Sequence, residues 1–185
     1  CDAPSYALGE RPDILQDLDE RGALPMRVFL YHDELPNFAI RSGAGLNGGH
    51  IAYAGLKLFA DGSLGARTAA LNEPYSDKDD ECGRLLYTDE KLMEKLRAAQ
   101  KRRIQVQVHA IGDAANEQVV RCMEAVQREL GRPTFSYRLN HAIVLPEGMP
   151  ERIARAGIVV DLQPIQMWDD RNMAPLRLGG RLCRR

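Results

Sequence analysis

Cysteine is scarce and scattered in this 185-residue chain, at Cys1, Cys82, Cys122 and Cys183, with no C-x-x-C pair. That spacing gives no structural zinc motif and no disulfide framework. Reduced thiols in a cytoplasmic protein are the expectation. An excess of charge of either sign is also lacking, since 25 Lys and Arg face 26 Asp and Glu for a net charge of −1. Without such a field, neither nucleic acid nor an anionic membrane is expected as a partner. No apolar run approaches the ~20 residues of a membrane helix, and the start shows no signal-peptide pattern. The chain opens on Cys1 without methionine, which reads as a processed chain or one cut from something larger. A mature lipoprotein also opens on cysteine, but no lipobox is visible to support lipidation.

What is present is 44% hydrophobic content, enough for one domain over residues 1–185 with a real core. Short apolar, β-branched runs alternate with amphipathic helical stretches. Strands are expected at 26–31, 51–60, 104–109, 136–144 and 157–164, and helices at 12–22, 88–101, 114–130 and 146–156. A short helix around 35–40 precedes a glycine-rich loop. Thr88 begins a capping-box outline, and Asp113 is placed to cap the helix that follows it. About five strands separated by helices give βα units and a parallel sheet, hence an α/β fold. Residues 61–87 lack periodicity and are dense in Gly, Pro, Asp and Ser. A loop that long in a compact domain is usually functional or partly structured, which makes it a candidate active-site loop. The basic C-terminal end, 171–185, holds five arginines without interleaved aromatics. It suits a solvated helix or a frayed end better than a nucleic-acid contact.

Three strand ends carry chemistry: Lys57 within Ala54–Gly62, His109 within Val106–Ala115, and His141 within Tyr137–Leu145. In parallel α/β folds, ligands and catalytic groups gather at the C-terminal ends of strands. Paired imidazoles there suit a divalent ion such as zinc, or equally serve as hydrogen-bonded structural residues. Lys57 lies among apolar neighbours. It either snorkels to water or is buried, in which case its amine is neutral near pH 7 and able to form a Schiff base or a carbamate.

Lys57-Leu-Phe-Ala-Asp-Gly-Ser-Leu-Gly65, followed by Arg67 and Pro74-Tyr-Ser-Asp77, resembles the segment of the amidohydrolase superfamily that carries its metal-bridging lysine. The similarity is closest to the amidohydrolase-3 branch. His109-Ala-Ile-Gly-Asp113 and Leu139-Asn-His-Ala142 resemble the next two metal-binding strand ends. Asp161-Leu-Gln-Pro164 resembles the following strand, which supplies no ligand. The resemblance spans about Gly22 to Trp168. It implies a (β/α)8 TIM-type barrel with one or two divalent metals, in which a carboxylated Lys57 bridges the ions, His109 and His141 ligate the second ion, and Asp61, Gly62 and Arg67 shape the substrate pocket. The implied activity is hydrolysis of non-peptide C–N bonds in small amide-like substrates of N-acyl or formamide type, by a metal-bound hydroxide.

Two departures from that pattern carry weight. Asn140 stands where the family usually has an acid, and no His-x-His pair or terminal aspartate occurs. The chain is therefore expected to be an internal fragment, about strands three to seven of an incomplete barrel, with weak or no metal and little activity of its own. Its open sheet edges are expected to drive self-association. His32, His50 or Asp161 would have to complete the centre if it proved whole. A non-catalytic scaffold domain and a metal-free Schiff-base aldolase built on Lys57 are the alternative functions.

Overall fold

The computed structural model describes residues 2–4, 12–35 and 50–180. Six strands, β1 (Asp2–Pro4), β2 (Val28–His32), β3 (Ile51–Phe59), β4 (Gln105–Ala110), β5 (Arg138–His141) and β6 (Val159–Asp161), form one sheet in the order of the chain. Every adjacent pair is parallel. A doubly wound sheet reverses its order at a switch point, whereas a barrel adds each strand beside the last. The uninterrupted order is that of part of a TIM-type barrel. β2 to β6 are the five strands expected from the sequence, and β1 is an addition to them. β5 and β6 are much shorter than the apolar runs that announce them, because the flanking residues turn away into loops.

The helices are α1 (Pro12–Glu20), α2 (Asp89–Lys101), α3 (Asp113–Leu130), α4 (Met149–Ala156), α5 (Pro164–Asp169) and α6 (Ala174–Leu178), with a 3-10 turn at Asp170–Asn172 before α6. Thr88 caps α2 by accepting from the Lys91 N–H at 3.3 Å. Leu92, Leu96 and Ala99 recur at helical spacing and are fully buried. They pack with Val119, Met123 and Val126 of α3 against Val106, Val108 and Ala110 of β4, making one continuous core. Among the described residues no helix is long and apolar enough to cross a membrane.

The cap at α3 differs from expectation. Gly112 is the capping residue, and the Asp113 carboxylate instead accepts from the Asn72 N–H at 3.0 Å and from Ala114 at 3.1 Å. Asp113 thus ties residues 61–87 to the start of the helix. A side chain on Gly112 would place Cβ 1.9 Å from the Ala70 carbonyl oxygen, so the same junction requires glycine. Residues 61–87 hold no regular element beyond a bridge between Tyr75 and Lys78. They are nevertheless packed, for Leu64, Ala69, Leu71 and Tyr75 are buried with Ile111, Val144 and Leu178. Of the basic end, Arg177 on α6 donates to the carbonyls of Leu64 and Gly65. The short helix and glycine loop expected at 35–49 lie outside the described residues apart from Leu35, as do residues 181–185.

Candidate metal centre

The face of the sheet turned from the helices is polar. Strand alternation sends Val106, Val108 and Leu139 into the core and Gln107, His109, Arg138 and Asn140 to the other side. Lys57 pairs in register with Gln107, and His109 with Asn140. Tyr31, Lys57, Gln107, Arg138, Asn140, His141, Asp161 and Gln163 enclose a cavity of about 330 Å³ over that face.

Lys57 is 7% exposed. Burial pushes its amine down to about 8, with Asp161 opposing the shift and Arg138 adding to it. Its ammonium donates to Asn140 Oδ1, while Asn140 Nδ2 donates to Asp161 Oδ2 at 2.7 Å. Arg138 holds the same carboxylate through Nε at 2.9 Å and Nη2 at 2.5 Å. Asn140 can accept on one side and donate on the other, which an ionised acid cannot. The charge missing at position 140 is therefore supplied one strand over, by Asp161.

His109 and His141 meet edge to face, with ring centroids 4.7 Å apart. His109 Nε2 lies 2.8 Å from the Gly62 carbonyl oxygen. A carbonyl only accepts, so Nε2 carries the proton and Nδ1 is left with its lone pair. His141 Nδ1 lies 2.7 Å from Gln163 Oε1, a closer contact than the 3.4 Å approach of Gln166 Nε2. By the same logic Nδ1 of His141 is protonated and Nε2 carries the lone pair. Burial lowers the pKa of both rings, which favours their neutral forms. A ring N–H fixed on an oxygen acceptor while the opposite nitrogen stays basic is the arrangement of metal-ligating histidines.

Local backbone conformation aims these groups. His141 and Ala142 have φ of 75° and 50°, a region that costs a residue other than glycine about 1–3 kcal/mol and clusters at functional positions. Asp61 is buried and accepts from the N–H groups of Ala70, Ile111 and Gly112 at 2.8–3.0 Å. Burial raises its carboxyl pKa, and those three donors pull it back. It also stands 3.5 Å from His109 Nε2. At Gly62 a Cβ would fall 2.0 Å from Thr68 Oγ1, so only glycine lets the chain fold back and offer its carbonyl to His109.

The residues singled out in the sequence thus divide. Lys57, His109 and His141 converge, and Asp61 and Gly62 support His109 from behind. Arg67 turns aside to Asp77, donating at 3.1 and 2.8 Å, and does not line the cavity over the polar face. Sequence reading did not single out Arg138, Gln163 or Gln166. The polar residues at alternate positions of β4 and β5 were the available signal for Arg138, whereas no local pattern marks the glutamines. His32 stacks on Tyr53 with centroids 4.9 Å apart, and His50 Nδ1 is 2.9 Å from Asp19, so neither joins the centre.

The sequence model of the amidohydrolase family matches residues 4–182. The chain belongs to the amidohydrolase family. It is 43% identical over 119 residues to YtcJ of Bacillus subtilis strain 168, a match covering 64% of this chain and 22% of that protein. LONG AFTER FAR-RED 3 of Arabidopsis thaliana is 36% identical over 125 residues, covering 68% and 21% respectively. Two crystal structures of uncharacterised metal-dependent hydrolases are similar throughout. The one from Pyrococcus horikoshii has a TM-score of 0.78 at 30% identity, covering 97% of this chain and 35% of that one. The one from Pyrococcus furiosus has a TM-score of 0.77 at 31% identity, covering 96% and 36%. The chain spans about a fifth of the length of the curated relatives it matches. Among the described residues, no group of three or more His, Cys, Asp or Glu side chains is arranged to hold a metal ion. The donors that an amidohydrolase centre can draw on here are two imidazoles and the Lys57 amine, which fit one side of the shell around a divalent ion.

Proposed function

We propose that this chain furnishes one side of the active centre of a metal-dependent amidohydrolase that cleaves non-peptide C–N bonds, in N-acyl or formamide-type substrates. The observation that carries the proposal is the pair of neutral imidazoles, each with one N–H fixed on an oxygen and the other nitrogen left basic, beside a buried lysine. His109 and His141 would hold the ion, and zinc suits two imidazoles and a carbamate. When bound, the ion supplies a Lewis acid that polarises the scissile carbonyl and lowers the pKa of its water toward ~7. Lys57 loses its ammonium proton, and the neutral amine then adds to carbon dioxide and gives up a second proton, so a cationic side chain would become an anionic carbamate ligand. Arg138 stands near enough to balance the new charge, and Asn140 is held by Asp161 to orient it. Asp61 and Gly62 keep His109 in its tautomer, and segment 61–87 anchors both.

With this partial donor set, the chain alone holds metal substoichiometrically, keeps Lys57 as an amine and turns over N-acyl substrates slowly or not at all. β1 and β6 each have only one strand neighbour among the described residues, and such edges favour self-association. Zinc titration by calorimetry, with elemental analysis after dialysis, tests the proposal. A weak zinc site that disappears in His109→Ala and in His141→Ala is expected. Absence of zinc uptake overturns the metal reading, and two tightly held ions per chain with robust amide turnover overturn the partial-centre reading.

A further inference from the structure

A second cavity, of about 460 Å³, adjoins the polar one and shares His141 and Gln163 with it. Its character is opposite. Leu64, Ile143, Leu162, Met167 and Pro175 supply its walls, from segment 61–87, the turn after β5, the turn after β6, α5 and α6. Gln163 stands at the junction and accepts from His141 Nδ1. The volume is that of a small-molecule site, and a mostly apolar pocket with a few convergent polar groups is the usual form of one.

Resting on the hydrolase reading, we infer that the substrate is bipartite: its amide is placed at Lys57 and His141, while an apolar acyl or aryl group on that amide fills the pocket between α5 and segment 61–87. The shared histidine decides the geometry. A bond presented beside His141 has the polar chamber on one side and the apolar pocket on the other, so one substituent enters each. The polar chamber is lined by Lys57, Gln107, Asn140 and the Arg138–Asp161 pair, which suits a polar amine half such as one ending in a carboxylate or hydroxyl. The second pocket is lined mainly by apolar side chains, with Asp170 and Arg171 as its charged members, so a neutral apolar acyl group is the better match for most of its wall, where an unpaired charge would be desolvated.

The test is binding, read through Trp168, the one tryptophan of the chain, which follows the pocket residue Met167 on α5. N-acylglycines with acyl chains of two, four, six and eight carbons are titrated against the chain by intrinsic fluorescence. Affinity is expected to rise about fourfold for each methylene that enters the pocket, as for transfer from water. Met167→Gln makes one wall of the pocket polar and should flatten that rise, and Ala174→Phe, at another residue lining the pocket, should do so by filling the space. For both variants the readout is the slope of affinity against acyl length, measured relative to each variant's own N-acetylglycine value. Equal affinity for the short and long chains, or a rise that survives both substitutions, overturns the inference. Zinc plays no part in this readout. A flat series with zinc binding intact therefore refutes the apolar pocket alone, whereas a steep series without zinc binding refutes the metal reading alone.

Discussion

The two faces of this sheet are built from alternate residues of the same strands and follow opposite rules. Toward the helices, Val106, Val108, Ala110 and Leu139 are completely buried and carry no polar atom on their side chains. On the other face, one residue away in each case, stand Gln107, His109, Arg138 and Asn140; Lys57 donates to Asn140, Asn140 and Arg138 donate to Asp161, and His109 bonds the Gly62 carbonyl. The first face stabilises by removing apolar area from water and keeping dense contacts. The second buries polar groups, which is costly unless each finds a partner. Its connected network offsets that cost and aims the side chains at one place, so folding is secured by one face and chemistry is hosted by the other.

The largest effect expected is from a charge on the apolar face. Val108→Asp buries a carboxylate with no partner, and urea denaturation followed by circular dichroism should show a chain that does not fold. A folded, cooperative variant would erase the distinction between the faces.

Next is the pH response of Lys57. Its folded pKa of about 8 lies below the ordinary value of 10.5. Below pH 8 the amine is protonated in both states and the cost of burying the charge is fully present. Between pH 8 and about 10.5 the folded chain releases the proton while the unfolded chain keeps it, so stability rises, by about 3 kcal/mol at most. Lys57→Met should flatten this rise in denaturation midpoints measured across the interval. An unchanged slope in that variant would move the titration to another group.

Adjacent residues of β5 sharpen the contrast further. Leu139→Ala should cost about 2–5 kcal/mol through a cavity in the core. Asn140→Ala should cost about 1–3 kcal/mol by leaving Lys57 and Asp161 without their shared partner. Combined with Lys57→Met, Asn140→Ala should cost less than the sum of the two, since both break one network, whereas Leu139→Ala should add to Lys57→Met. Additivity in both pairs would count against a connected polar face.

The smallest effect belongs to neither face. Arg97 Nε meets Glu129 on the outer side of α2 and α3 at 2.7 Å, with side chains 35% and 46% exposed. Arg97→Ala should change stability by no more than about 0.5 kcal/mol, and less at high salt. A larger loss in thermal melts would mean that the helix layer depends on its ion pairs.

The strands and the main helices were legible because period-two and period-3.6 patterns record burial directly, as at Gln105–Ala110 and at Leu92, Leu96 and Ala99. Lys57, His109 and His141 were legible because each follows or ends an apolar run. The α3 cap was misread at Asp113. Its carboxylate had a competing donor in Asn72, 41 residues away, and no local rule weighs a partner so distant. The same limit hid Gln163 and Gln166, which act only because the turn after β6 passes beside His141.

The sequence by itself determined the parallel βα order, the apolar face and the placement of Lys57, His109 and His141 toward the C-terminal ends of their strands, since each is written in spacing along the strand. Only the tertiary structure decided that Asn140 links Lys57 to Asp161, that Gly62 and Gln163 fix the two imidazole tautomers, and that a polar and an apolar cavity meet at His141. Those relations join groups from different strands and loops, and a hydrogen bond or cavity wall depends on positions in space that a one-dimensional pattern does not encode.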